Sequence, residues 1–138
     1  MRVVLKKECE NCGVSFETPW STKRLCSRAC VQQKFRRSNI RKLLLTRAKY
    51  RHNRKGFDFN LELEDIPQVP ETCPVLGLPL TIEDGSGLHP NSVSLNRIDP
   101  SKGYIKGNIE IVSMRANHLL SNASVEELEK VLVYARRT

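Results

Sequence analysis

No apolar run in the chain exceeds five residues, the longest being 131–135, and a bilayer-spanning helix needs about twenty. The first ten residues, MRVVLKKECE, lack the long apolar stretch that a secretory signal carries. Membrane insertion and export are therefore not expected, and a cytoplasmic location is the default. Acidic residues are scarce at the front. Residues 1–55 hold three Glu against sixteen Lys and Arg, a balance of +13, whereas residues 56–138 hold twelve acidic against seven basic residues, a balance of −5. A basic half beside an acidic half suits a polyanion grip next to a site that could hold cations. No internal repeat or low-complexity segment is present, and 138 residues at 39% apolar can build one compact domain plus a small appended module.

Cysteine is also sparse, five in all, but four fall within 22 residues as Cys9-x-x-Cys12 and Cys26-x-x-x-Cys30. Two short-spaced pairs can wrap one ion from two sides and give a tetrahedral all-thiolate zinc site. Such a site is structural, because no coordination position is left open for chemistry. Gly13 suits the turn after the first pair, and Lys23, Arg24 and Arg28 would offset thiolate charge. Cys73 has no local partner and reads as a small core residue.

Residues 34–55 contain neither Pro nor Gly and read as one basic helix, with Phe35, Ile40, Leu43, Leu44 and Ala48 near helical spacing. Lys34, Arg36, Arg37, Arg41, Lys42, Arg47, Lys49, Arg51, Arg54 and Lys55 on this helix are the expected phosphate contacts to DNA, and Tyr50 and His52 could add stacking or hydrogen bonds. A solvated charged helix packed through Leu43 and Leu44 is the plainer reading of the same residues. Gly56 ends the helix. Alternation of Phe57, Phe59, Leu61 and Leu63 then predicts a short strand or extended segment, and Pro67 and Pro70 break the chain.

Residues 73–80 are apolar around a Gly-Leu-Pro turn, and 83–92 read as a loop. Strands are expected at 93–98 and 109–113, joined as a long-looped antiparallel hairpin by DPSKGYIKGN. A helix over Met114–Leu120 follows. A second begins at Ser124, where Glu127 completes a capping box, and Val125, Leu128, Val131, Leu132 and Ala135 form its apolar stripe.

A hairpin followed directly by a helix can bring a strand-end residue and a helix residue to one point, where a divalent ion can meet a phosphate. CPVLGLPL followed by SLNRIDPSKGYIKGNIEIVSMRAN resembles the HNH (His-Me finger) endonucleases, closest to the phage branch of recombination endonuclease VII-like proteins, over roughly residues 57–135. The resemblance implies an α+β fold: a ββα-metal core with flanking helices and an N-terminal zinc module. It implies a zinc module at 1–33, a basic DNA-binding helix or linker at 34–56 and a nuclease domain at 57–138. By this likeness Asn96-Arg97 stands where the family has Asp-His or Asp-Arg. Asn108 is the middle Asn that braces the loop, and Asn117 is the helix residue near the metal. Asn96 and Asn117 are then the ligand positions for Mg2+ or Mn2+.

Two departures bear on the chemistry. An amide at Asn96 can ligate Mg2+ but brings no negative charge. Arg97 cannot take a proton at neutral pH, although it could bind a phosphate. A base would then come from His89, from His118 or from metal-activated water, and Asp99 is the nearest carboxylate that could substitute as a ligand. Taken alone, His89 reads as a solvent-exposed loop residue, His118 as a surface or phosphate-contacting one, and Asn108 and Asp99-Pro100 as turn chemistry. Lys102, Lys106 and Arg115 would add charge near the site, with Lys102 contacting DNA. The implied activity is metal-dependent endonucleolytic hydrolysis of DNA, phage-encoded by the likeness, with a homodimer one way to cut both strands. The rivals are a catalytically inactive DNA-binding protein on the same scaffold, and a module that binds RNA or protein.

Overall fold

The computed structural model describes residues 3–82 and 89–137. Among the described residues, two small antiparallel hairpins and three helices give a mixed α/β structure. In order these are β1 (Leu5–Glu8), β2 (Ser15–Thr18), α1 (Arg28–Lys55), β3 (Val93–Arg97), β4 (Ile109–Ser113), α2 (Met114–Leu120) and α3 (Val125–Ala135). By compactness the chain divides between Ile40 and Arg41, inside α1, into an N-terminal unit and a C-terminal unit that holds Arg41–Thr81 and the chain from His89 on.

In the N-terminal unit, β1 and β2 pair from Leu5↔Thr18 to Glu8↔Ser15. α1 starts at Arg28, six residues before the helix expected at 34, so Cys30 lies in its first turn. Ser27 explains the earlier start. Its hydroxyl accepts from the Cys30 N–H at 3.2 Å and its carbonyl from the Val31 N–H at 3.2 Å, which satisfies donors that a helix start leaves orphaned. The metal-type spacing of the cysteines conceals this helix signal. Gly56, with φ +70°, ends α1 as expected.

In the C-terminal unit, the hairpin β3–β4 runs from Val93↔Ser113 to Arg97↔Ile109, and α2 follows β4 without a break. Strand alternation puts Ser94, Asn96, Glu110 and Val112 on one face and Val93, Leu95, Arg97, Ile109 and Ile111 on the other. Val112, fully buried, clusters with Cys73, Ala116 and Leu80. Cys73 is thus a core residue, and its sulfur accepts from the Ser113 N–H at 3.2 Å. Of the short strand or extended segment expected over 57–63, no strand forms. Phe59 makes an isolated parallel bridge to Tyr104, and Leu63–Asp65 is a 3-10 turn. The segment instead anchors the β3–β4 loop: the Tyr104 N–H donates to the Asp58 carbonyl at 2.8 Å, and the Lys106 N–H to Asn60 Oδ1 at 2.8 Å.

Ser113 caps α2 and Ser124 caps α3 with the reciprocal Glu127 bond. Of the expected loop at 83–92, residues 83–88 lie outside the described residues. No helix among the described residues is long and apolar enough to cross a membrane.

Candidate functional site

The N-terminal unit holds a metal-type cluster. The Sγ atoms of Cys9, Cys12, Cys26 and Cys30 all lie within 4.8 Å of one another, and none of the four forms a disulfide. The separations Cys12–Cys26 at 3.6 Å and Cys26–Cys30 at 3.5 Å approach the edge of about 3.8 Å that a tetrahedron of zinc–thiolate bonds near 2.3 Å would have. Burial opposes ionisation of Cys9, but the backbone N–H groups of Cys26, Cys12 and Asn11 outweigh it and lower its pKa to about 6. The neighbouring Cys30 thiol pushes Cys26 up to about 12. Four sulfurs this close cannot all be thiolates without a cation among them, so the donor set fits a bound metal ion.

Polar ties fix the first knuckle to α1. Glu10 pairs with Lys34 at 2.7 Å and Arg24 at 2.9 Å, and Asn11 donates to Gln33 at 2.7 Å and accepts from Arg37 at 3.4 Å. Arg37 is therefore engaged within the module.

The second candidate is a cleft of about 560 Å3 in the C-terminal unit. Three elements build it. The end of β3 contributes Asn96 and Arg97. α2 contributes Met114, Asn117, His118 and the following Ser121, a set at helical spacing that forms one face. The last turns of α1 contribute Arg51 and Lys55, also one face. Phe57, Tyr104 and Asn122 complete much of the wall.

Asn96 is only 7% exposed and its side chain has no hydrogen-bond partner among the described residues. The Asn117 amide donates to Ser94 Oγ at 2.7 Å, which fixes its orientation. His118 is exposed on the cleft wall. The Arg51 guanidinium donates to the Tyr104 hydroxyl at 2.9 Å. Several cations and neutral amides line the cleft, and among the described residues no carboxylate does.

No family model matches the chain, and no curated protein matches it in sequence. Among solved structures it is similar to the rare-cutting HNH restriction endonuclease PacI. That likeness covers 91% of this chain and 89% of the other, at 16% identity and a TM-score of 0.47. At that level it decides neither family nor activity.

Other expected site residues have structural partners. The Arg97 guanidinium lies 3.9 Å from the Phe57 ring centre and 5.6 Å from that of Tyr104, and it donates to the Pro100 and Lys102 carbonyls at 2.9 and 3.1 Å. It ties down the β3–β4 loop while bordering the cleft. The Asp99 carboxylate accepts from the Ser101 hydroxyl at 2.6 Å and N–H at 2.9 Å and pairs with Lys102 at 3.4 Å. Ser101 first, and Lys102 second, hold its pKa below the usual value. Asp99 is not among the cleft residues. All three side-chain bonds of Asn108 go to loop backbone, at Asp99 and Gly103. His89 also lies outside the cleft lining, its Nδ1 accepting from the Asn91 N–H at 3.2 Å.

On α1, Arg41 donates to the Ile66 and Leu63 carbonyls at 2.8 and 3.0 Å, so it clamps the 3-10 turn. Arg54 reaches the Tyr50 hydroxyl at 3.3 Å, and His52 Nδ1 contacts the Phe57 carbonyl. Arg36 is half-buried, whereas Lys42, Arg47 and Lys49 are exposed.

Sequence reasoning missed Tyr104, Ser121 and Asn122. Helical periodicity marked one of them: Ser121 is one turn beyond Asn117.

Proposed function

We propose that the chain is a metal-dependent DNA endonuclease of the HNH type, with zinc held by Cys9, Cys12, Cys26 and Cys30 as its structural ion. One observation carries this reading. A strand-end residue, Asn96, and the helix residues Asn117 and His118 line a single cleft with the cations of Arg51 and Lys55. A phosphodiester is the anion such a cleft suits.

In this reading Arg51 and Lys55 bind the phosphate oxygens and fix the strand. Exposed Lys42, Arg47 and Lys49 extend the electrostatic contact along α1, which makes affinity salt-dependent. Asn96 and Asn117 offer the amide oxygens that would hold Mg2+ or Mn2+. That ion, when bound, neutralises the phosphate and the developing charge on the leaving oxygen. His118 is the imidazole that lines the cleft and would serve as the general base toward the attacking water. Arg97 keeps the loop and Phe57 in place beside the cleft. The donor set fits a hard cation through neutral oxygens alone, so the charge that balances the ion must come from the DNA phosphate.

The test is cleavage of supercoiled plasmid with Mg2+ or Mn2+, with and without EDTA, beside Asn117→Ala and His118→Ala. Divalent-dependent cutting by the parent chain, abolished by EDTA and by Asn117→Ala, supports the reading. The missing carboxylate favours a second reading, DNA binding without cleavage. Salt-sensitive binding with no cutting in either metal would put that reading in place of the enzyme.

A further inference from the structure

α3 has eleven residues and buries none of them. Isolated helices shorter than about 12–15 residues are marginal in water, so a helix of this length draws its stability from docking an apolar face. Leu128 of that face is half-buried, but the rest is uncovered: Val125 is 71% exposed, Val131 64% and Leu132 48%, with Val133 and Tyr134 beside them.

The charges on α3 indicate what covers it. Glu126, Glu127 and Glu129 occupy its first half, Lys130 lies at its middle, and Arg136 and Arg137 follow its end. The three carboxylates make this an unsuitable surface for nucleic acid or an anionic membrane. The same order of charges is complementary to itself. An antiparallel, two-fold pairing sets each acidic half against the other's basic end, whereas a parallel pairing sets like against like. We propose that α3 is a self-association surface, which pairs antiparallel with α3 of a second copy of this chain. A two-fold dimer would also present two copies of the cleft, but the inference does not depend on what the cleft does.

A patch of one helix per copy is small, so the dimer should be reversible and concentration-dependent. The test is sedimentation equilibrium of the full-length protein up to high micromolar concentration. The parent chain should show a monomer–dimer equilibrium. Val131→Glu with Leu132→Glu should leave a monomer whose melting temperature matches that of the parent at a dilution where the parent is also monomeric, because neither side chain is buried.

Two charge variants test the orientation. Glu126→Lys with Glu129→Lys, which spares the capping residue Glu127, and Arg136→Glu with Arg137→Glu should each weaken association by about ten-fold or more. An equimolar mixture of the two should associate again. A parent chain that stays monomeric overturns the proposal. So does a dimer that survives Val131→Glu with Leu132→Glu, or a charge-variant mixture that fails to associate. A monomeric parent destabilised by the glutamates would mean that the face serves the chain's own fold.

Discussion

Asn108 grips Asp99 from both sides: its Oδ1 accepts from the Asp99 N–H at 2.8 Å while its Nδ2 donates to the Asp99 carbonyl at 3.1 Å. The same Nδ2 reaches the buried Gly103 carbonyl at 3.0 Å. One side chain thus closes a ten-residue loop. In Asn108→Asp the carboxylate still accepts but cannot donate, leaving two carbonyls facing a negative charge. Thermal or urea unfolding should show a loss of about 2 kcal/mol or more. A loss below about 0.5 kcal/mol, the ordinary range for surface substitutions, would mean the loop is held elsewhere.

Gly103 is where that loop touches the 57–60 segment. A Cβ there would sit 2.0 Å from the Asp58 carbonyl oxygen and 2.5 Å from the Asp58 nitrogen, both backbone atoms that cannot swing away. Gly103→Ala should therefore separate the segment from the loop and cost about 1–3 kcal/mol. Hydrogen exchange should show lost protection at the Tyr104 N–H, which donates to the Asp58 carbonyl. Unchanged protection there would contradict the contact.

Ser121 follows α2 with φ +41° and ψ −115°, the one non-glycine residue with positive φ among the described residues. The geometry is held by the Ala123 N–H donating to the Leu120 carbonyl at 2.9 Å. Glycine adopts such angles without a Cβ clash, so Ser121→Gly should raise stability by about 1 kcal/mol, read as a higher melting temperature. A lower melting temperature would show that the hydroxyl stabilises more than the strain costs.

The lowered pKa of Asp99 sets a direction for acid sensitivity. A carboxylate with a folded pKa below its unfolded value contributes stability that is present above the unfolded pKa and lost as pH falls through the folded one. The parent chain should therefore lose stability below about pH 4 more steeply than Asp99→Asn, and the two curves should draw together in strong acid. Parallel curves between pH 5 and pH 2 would remove Asp99 from the account.

Asn96 lies directly across the hairpin from Glu110, on the same face. Asn96→Asp would bring a second carboxylate to that pair and a negative charge to the cleft wall. Titration with Mn2+ in the absence of DNA, followed by electron paramagnetic resonance of the free ion, should show affinity raised by about ten-fold or more. Equal affinities would mean that Asn96 does not face a cation site.

Much of the chain was legible because its signals are local. Cysteine spacing marked the thiol cluster, alternation placed β3 and β4, and Ser124 with Glu127 placed the start of α3. Each depends on residues within a few positions of one another. Whether the 57–63 segment would be a strand or merely extended was not legible. Its alternation fits a strand, but the residue that pairs with it, Tyr104, lies more than forty positions away.

By itself the sequence determined the four-thiol cluster, the hairpin with its following helix, and the surplus of cations before residue 56. Only the tertiary structure decided which cations are engaged and which line the cleft. Arg41 is held by the Ile66 and Leu63 carbonyls and Arg97 by two carbonyls and two rings, while Tyr104 and Ser121 come to the cleft unannounced. The reason is physical. A guanidinium takes whichever carbonyls and ring faces the fold brings within about 3–6 Å of it, and most of those are set by contacts distant along the chain.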